Sequence, residues 1–231
     1  MKVAVIPARG GSKRIPRKNI KKFHGVPMIA YAIRAAKASG LFDKIIVSSD
    51  DTEIMAVARE YGAEAPFNRP FELADDHTPT VPVISHAIRA CHSLGWNVTD
   101  VCCIYPGVPF LSGTELRSGH DLLKEGGDVY VFPVTHFPSP IQRALRRLPG
   151  GWVQPFYTEH VEARTQDLEP GYFDVGQFYW GKADNWVRGL NIHLNARTLV
   201  VPNWRVVDID TPEDWRRAEL LFTIISGEGQ P

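Results

Sequence analysis

Apolar residues in this chain fall into two kinds of stretch. Short β-branched runs end at Pro, Gly or Ser, and between them apolar positions recur every three or four residues. Residues 3–7 form the first short run and predict a buried strand. After Pro27, Met28, Ile29, Ile33 and Ala36 keep helical spacing up to Gly40. A second strand is predicted over 45–49, followed by a helix that Asp51 or Thr52 would cap and Gly62 would end. The pattern then predicts a helix over 83–94, a strand over 100–105, a helix over 114–124 and a strand over 129–134. Such alternation implies βαβ units and a mostly parallel sheet.

The alternation breaks at residues 136–170, which hold five prolines and the aromatic residues Trp152, Phe156 and Tyr157. This stretch reads as an inserted arm of irregular or short antiparallel structure. A surface loop and an arm that covers a site or meets another subunit both remain open. Strand character resumes over 173–181 and 198–201, a closing helix is predicted over 214–225, and 227–231 reads as a frayed tail. The whole chain, 1–231, is read as one domain carrying this arm.

Composition excludes several classes. With 26 Lys+Arg against 26 Asp+Glu, 44% hydrophobic and 23% charged residues over 231 positions, the chain matches an ordinary globular protein. It is not collagen-like, disordered or a high-pI nucleic-acid binder, and no run reaches the roughly 18–20 apolar residues of a membrane helix. The opening apolar run is too short for a signal peptide and its charges lie on the wrong side. Cys91, Cys102 and Cys103 lack metal-ligand spacing and read as buried thiols in a reducing compartment. A cytoplasmic enzyme is the expectation, with neither nucleic acid nor membrane as partner.

Against this neutral background, residues 9–22 carry seven basic side chains and no acid. They follow the first strand directly, at the edge where open α/β sheets bind ligands. In the segment Ala8-Arg9-Gly10-Gly11-Ser12-Lys13 the glycines would let backbone N–H groups close on phosphate oxygens, with Lys and Arg balancing a triphosphate. The loop fits neither the Walker spacing nor the dinucleotide fingerprint. Asp208 and Asp210, two apart, point to one side of an extended segment and suit a shared hard cation; a helix cap is the plain alternative, because Thr211-Pro212-Glu213 follows. None of the eight histidines makes a zinc pattern, and no G-x-S-x-G nucleophile elbow is present.

The segment from Ile6 to Asn19 resembles the signature of the CMP-sugar synthetases, the cytidylyltransferases that activate nonulosonic acids. Val47-Ser-Ser-Asp-Asp51, Arg69-Pro70, the stretch from Asp76 to His86, and Asp208-Ile-Asp210-Thr-Pro-Glu-Asp214 match in the family's order, so the resemblance covers nearly the whole chain. It implies a Rossmann-like three-layer α/β sandwich that transfers CMP from CTP to a nine-carbon 2-keto sugar acid, with release of pyrophosphate. CTP would be held by Ala8, Arg9, Gly10, Gly11, Ser12, Lys13, Asn19, Arg69, Asp76 and Thr80, the last two in a loop that reads cytosine. N-capping of the following helix is the bland role for Asp75, Asp76, Thr78 and Thr80. Arg9, Lys18, Asp208 and Asp210 would be catalytic, the two aspartates binding Mg²⁺ or Mn²⁺. A homodimer is expected.

Three segments narrow the acceptor: Cys102 to Phe110, Pro140 to Ala144, and Phe173 to Gly181. Where sialic acid enzymes carry Gln-Pro-Thr-Ser-Pro, this chain has Tyr105-Pro-Gly-Val-Pro109. That change points to pseudaminic acid rather than sialic, legionaminic or keto-deoxyoctulosonic acid. Arg143 could fork onto a sugar carboxylate, with Gln142 beside it, or be an ordinary exposed arginine. Asp174 and Gln177, set among Tyr172, Phe173, Phe178, Tyr179 and Trp180, suit an amphipathic sugar, although the aromatics could equally be core. A polyanion-binding module is the alternative from another class, and it would have no use for paired aspartates.

Overall fold

A computed structural model describes residues 1–127 and 130–227 of the chain. In chain order the strands and helices are β1 (Lys2–Pro7), β2 (Lys22–Phe23), β3 (Val26–Pro27), α1 (Met28–Ser39), β4 (Lys44–Ser48) and α2 (Thr52–Glu60). Next come α3 (Thr80–Ser93), β5 (Asp100–Ile104), α4 (Gly113–Glu125), β6 (Tyr130–His136), β7 (Leu145–Arg147) and β8 (Val153–Pro155). The last are β9 (Tyr172–Asp174), β10 (Phe178–Lys182), α5 (Ala183–Val187), β11 (Arg197–Val200) and α6 (Pro212–Gly227).

The main sheet runs β11-β6-β10-β5-β1-β4, with β9 also on β6. β1 pairs in parallel with β4 and β5, and β11 in parallel with β6. β10 and β9 run antiparallel to their neighbours, so the sheet is mixed, with most strands in one direction.

Burial explains why these segments take these forms. Ala4 and Ile6 of β1 pack with Ile29, Ile33, Ile54 and Leu116 on one face, and Val3 and Val5 with Ile84, Ile88 and Trp186 on the other. Cys102 and Cys103 divide in the same way, and all three cysteines are buried free thiols. A strand buried on both faces reads as a continuous apolar run. Each fully buried Val, Ile or Leu contributes about 1.5–3 kcal/mol. Helices α1, α2 and α4 cover one face and α3 and α5 the other, giving the expected three layers. A third cluster joins Phe23 and Met28 to Trp215 and Ala218 of α6, which brings the chain's last helix back to the root of α1.

Local chemistry sets the boundaries. Gly40 ends α1 in the left-handed conformation (φ 66°), and Ser112 and Glu115 form a capping box at the start of α4. Asp51, rather than Thr52, caps α2 by accepting from the N–H groups of Glu53 and Ile54 at 3.0 Å each. Helix α3 begins at Thr80, three residues before the sequence pattern predicts. Pro82 lies in its first turn, where no N–H is needed. Helix α6 likewise starts earlier, at Pro212, and includes Gly227. Val129 and residues 228–231 lie outside the described residues.

The predicted strand over 173–181 is in fact broken. Asp174 pairs with Val134 and Trp180 with Val131, so six residues advance against three on β6. The excess is an excursion through Val175, Gly176 (φ 61°) and Gln177, and it opens toward the carboxyl ends of β1 and β5. The arm holds the two-stranded β7–β8 ribbon and short 3-10 turns, in line with its sequence. No described helix is long and apolar enough to cross a membrane.

Candidate active site

The carboxyl ends of β1 and β5, the excursion and the segment before α6 surround a cleft of about 410 Å³. It brings together Arg9, Lys18, Arg69, Asp76, Thr80, Tyr105, Asp208 and Asp210, which lie as far apart as 201 positions in sequence. A smaller recess of about 180 Å³ adjoins it under the basic loop and adds Ser12, Lys13 and Asn19. A third, of about 440 Å³, lies across Asp208 and Gly176 and includes Asp174, Asn203 and Arg217.

The basic loop leaves β1 held by Ala8 N–H, which donates to Ser48 O at 3.0 Å. Five of its seven basic side chains are paired with acids. Arg9 Nη1 lies 2.6 Å from Asp76 and donates to Asp75 O; Lys13 meets the same Asp76 carboxylate. Arg14 lies 2.7 Å from Asp210, and Lys18 donates to Ile209 O at 2.8 Å and to Asp210 at 3.3 Å. The Lys13 ammonium, followed by burial opposing it and the nearby Arg9, leaves the Asp76 pKa below the usual carboxylate range. Arg17, at φ 56°, turns away from the cleft to Asp51 and Glu53, tying the loop to the start of α2.

Two sequence expectations for the loop are corrected here. The Gly10 N–H is not free for phosphate: it donates to Asp50 Oδ1 at 3.0 Å. Glycine is required there by Asp51, whose Oδ2 would lie 2.7 Å from an added Cβ; at Gly11 nothing lies within 4 Å. Asn19 is buried, and its amide N–H donates to Arg9 O at 2.9 Å. It holds the loop backbone from the lining of the recess, where the sequence points to a contact with the nucleotide.

Arg69 is a buried cation. Its Nε donates to Ser48 Oγ at 3.1 Å and Nη2 to Ser48 O, and burial pulls its pKa down to about 10. It has no carboxylate partner among the described residues and lines the cleft. None of the polar residues before α3 caps that helix, whose N-cap is Pro79 without a side-chain bond. Asp75 instead accepts from His77 N–H, Thr78 N–H and Thr78 Oγ1, closing a turn that presents Asp76 to the loop. Thr80 Oγ1 lies 2.5 Å from the Tyr105 hydroxyl. Burial pushes the Tyr105 phenol up to about 12, so it stays a neutral hydroxyl.

Asp208 and Asp210 share the cleft wall around the buried Ile209. Thr211 and Asp214 hold the start of α6: Thr211 Oγ1 accepts from Asp214 N–H at 3.2 Å, and the Asp214 carboxylate accepts from Thr211 and Asp210 N–H. Neither Asp208 nor Asp210 is thus needed as the cap. Asp208 makes no hydrogen bond or ion pair among the described residues. The cleft walls and then the Asp210 charge raise its pKa.

Three expected sugar contacts lie elsewhere. Gln142 and Arg143 are in the arm: Arg143 donates to Val161 O and Ala163 O, and Gln142 to Glu169 O. The arm's own carbonyls capture these donors. Gln177 belongs to the excursion but its side chain is buried rather than in the cleft lining, and its backbone carbonyl accepts from Tyr105 N–H at 2.9 Å. Sequence reasoning missed Arg14, Asp50 and the Asp75 turn, although Arg14 stood in the basic run. It also missed His193, for which the sequence carries no signal.

The cytidylyltransferase family model matches residues 3–137. A pseudaminic acid cytidylyltransferase of Campylobacter jejuni (strain 81-176) is 40% identical over 96% of both chains. A CMP-N,N'-diacetyllegionaminic acid synthase of Legionella pneumophila is 30% identical over 96% of both. Among solved structures, a CMP:2-keto-3-deoxy-manno-octonic acid synthetase complexed with CTP superposes with TM-score 0.71 at 16% identity, covering 97% of this chain and 99% of that one. A Rossmann-like sheet with a cationic, acid-paired cleft at its carboxyl edge defines a nucleotidyltransferase. More particularly, the chain belongs to the cytidylyltransferase family.

Proposed function

We infer that this enzyme transfers CMP from CTP to pseudaminic acid and releases pyrophosphate. The observation that carries the reading is the meeting of Arg9, Lys18 and Arg69 with Asp208 and Asp210 around one cleft, with Lys13 in the adjoining recess and a further recess across Asp208. The 40% identity to a pseudaminic acid enzyme over nearly the full length supports the acceptor, as does Tyr105 in the wall.

In this reading the triphosphate lies under the basic loop. Arg9, Lys13 and Lys18 exchange carboxylate partners for phosphate oxygens, and Arg69 brings a further charge from below. The acceptor's anomeric hydroxyl gives its proton to a carboxylate of the Asp208–Asp210 pair and attacks the α-phosphorus, while the bond to the β-phosphate oxygen breaks and pyrophosphate leaves with that oxygen. The protein's part is positioning and charge stabilisation. The donor set fits Mg²⁺, which takes one or two carboxylates plus substrate phosphates: Asp208 has no other partner among the described residues and Asp210 lies beside it. These two residues would hold the ion, or Mn²⁺ in its place. When bound, it supplies charge neutralisation at the reacting phosphorus and the leaving pyrophosphate.

A homodimer goes with this reading. The arm exposes Leu145, Trp152, Val153, Phe156 and Tyr157, an apolar surface suited to a second copy, which would also place Gln142 and Arg143 beside another subunit. Three buried free thiols agree with a reducing cytoplasmic setting.

The test is pyrophosphate release with each of the four nucleoside triphosphates and a panel of nonulosonic acids. CTP with pseudaminic acid should far exceed every other pair. Equal turnover with UTP would refute cytidylyl transfer. Comparable kcat/KM for N-acetylneuraminic acid would refute only the acceptor.

A further inference from the structure

The excursion that breaks β9 from β10 forms the wall between the cleft and the third recess, since Gly176 lines both and Asp174 the latter. One carboxylate holds that wall. Asp174 Oδ1 accepts from Gly176 N–H at 2.8 Å, which fixes the turn itself. Asp174 Oδ2 accepts from the Tyr179 hydroxyl at 2.9 Å and lies 2.9 Å from His193 Nε2. An ionised carboxylate only accepts, so His193 Nε2 must carry the proton and donate. The Tyr179 ring meets the Tyr105 ring edge-on at 5.5 Å, and the Tyr105 hydroxyl is 2.5 Å from Thr80. Contacts thus run unbroken from His193, 60% exposed at the surface, to two residues facing the cleft.

His193 is itself held on three sides. Its backbone N–H donates to Asn191 Oδ1 at 2.8 Å, and its ring stands edge-on to Phe132 at 5.3 Å. Phe132 in turn touches Tyr179 at 5.7 Å. The imidazole is therefore set against the back of the acceptor wall, with its one donor aimed at the carboxylate that orders the wall.

We propose that His193 is a positioning residue for the sugar acid: it fixes Asp174, which orients Tyr179 and the Gly176 turn and so shapes the acceptor side of the cleft. This rests on the reading of the cleft as a CTP and nonulosonic acid site. Asp174 then acts from behind the wall through its three donors, whereas the sequence points to it as a direct sugar contact. The phosphates of the nucleotide depend on other groups, namely Arg9, Lys13, Lys18 and Arg69, which among the described residues make no hydrogen bond or ion pair to this chain of contacts; Thr80, expected on the cytosine side, stands at its far end and is reached only through the Tyr105 ring.

The distinguishing readout is a split between the two substrates. In His193→Ala the KM for pseudaminic acid should rise about tenfold, while the KM for CTP and kcat stay within about twofold. His193→Gln, whose Nε2 can donate from a similar position, should recover most of the loss. Asp174→Asn, which keeps the shape but offers one accepting oxygen, should show the same split as His193→Ala. Parallel rises in both KM values, an unchanged sugar KM, or no recovery in His193→Gln would overturn the proposal. Failure of the unsubstituted enzyme to use pseudaminic acid would instead overturn the acceptor assignment on which it rests.

Discussion

At the scale of single residues, the paired aspartates and the two loop glycines separate most sharply. Asp208 has no partner to lose among the described residues, and α6 is held by Thr211 and Asp214. Asp208→Asn should therefore leave the thermal midpoint near that of the parent while kcat falls on the order of 10²–10³-fold. Near-parental turnover in a folded variant would remove Asp208 from the chemistry. Gly10 and Gly11, adjacent and alike in sequence, should behave differently. A Cβ at Gly10 meets Asp51 Oδ2 at 2.7 Å, whereas at Gly11 it meets nothing. Gly10→Ala is expected to cost about 1–3 kcal/mol through forced displacement, measured by urea unfolding. Gly11→Ala should be close to neutral in the same assay. The sequence showed both as phosphate-loop glycines because the contact of Gly10 with Asp51, far along the chain, has no local signature.

At the scale of elements, the start of α2 is tied to the basic loop through one carboxylate. Asp51 caps the helix and also receives Arg17. The Arg17 hydrogen bond is the largest influence lowering the Asp51 pKa, opposed by partial burial. A carboxyl group whose folded-state pKa lies below its unfolded value stabilises the fold fully above the unfolded carboxylate range. That contribution is lost as pH falls through the folded pKa. Asp51→Ala should thus lower stability at neutral pH by about 1 kcal/mol, the usual worth of such a cap. The gap from the parent should narrow as the medium is acidified below the carboxylate range, as followed by thermal melts across pH. A gap of constant size would show that the charge on Asp51 plays no part. The helices and inner strands were legible because periodicity and burial coincide, as in Val3 and Val5 against Ala4 and Ile6. The break between β9 and β10 was not, because Phe173 to Gly181 reads as one aromatic strand and only the backbone at Gly176 reveals the turn. The early start of α3 was hidden by Pro82, a breaker everywhere except in a first turn.

At the scale of the whole molecule, much of the site's membership was legible and much of its wiring was not. The basic run, the aspartate pair and Tyr105 stood out by composition or resemblance; Arg9, Lys18, the two aspartates and Tyr105 reach one cleft, and Lys13 and Arg14 the recess beside it. Arg143 did not, because its fork is taken by the arm's own carbonyls, a contact between positions twenty apart. The pairing of cations with acids was equally hidden, since Asp76 and Asp210 lie far along the chain from the loop they meet.

That pairing has a kinetic consequence. A site whose loop cations already lie against carboxylates, with only the buried Arg69 lacking one among the described residues, projects little field beyond the Debye length, about 8 Å at physiological ionic strength. CTP would then arrive at an ordinary diffusional rate, without long-range steering, and its charge would be felt only on contact, when carboxylates give way to phosphate oxygens. Added salt should accordingly speed departure more than it slows arrival. Stopped-flow measurement of CTP binding should give an association rate nearly flat in ionic strength and a dissociation rate that climbs with it. A steep fall in the association rate would mean that the carboxylates do not mask the loop before the nucleotide arrives.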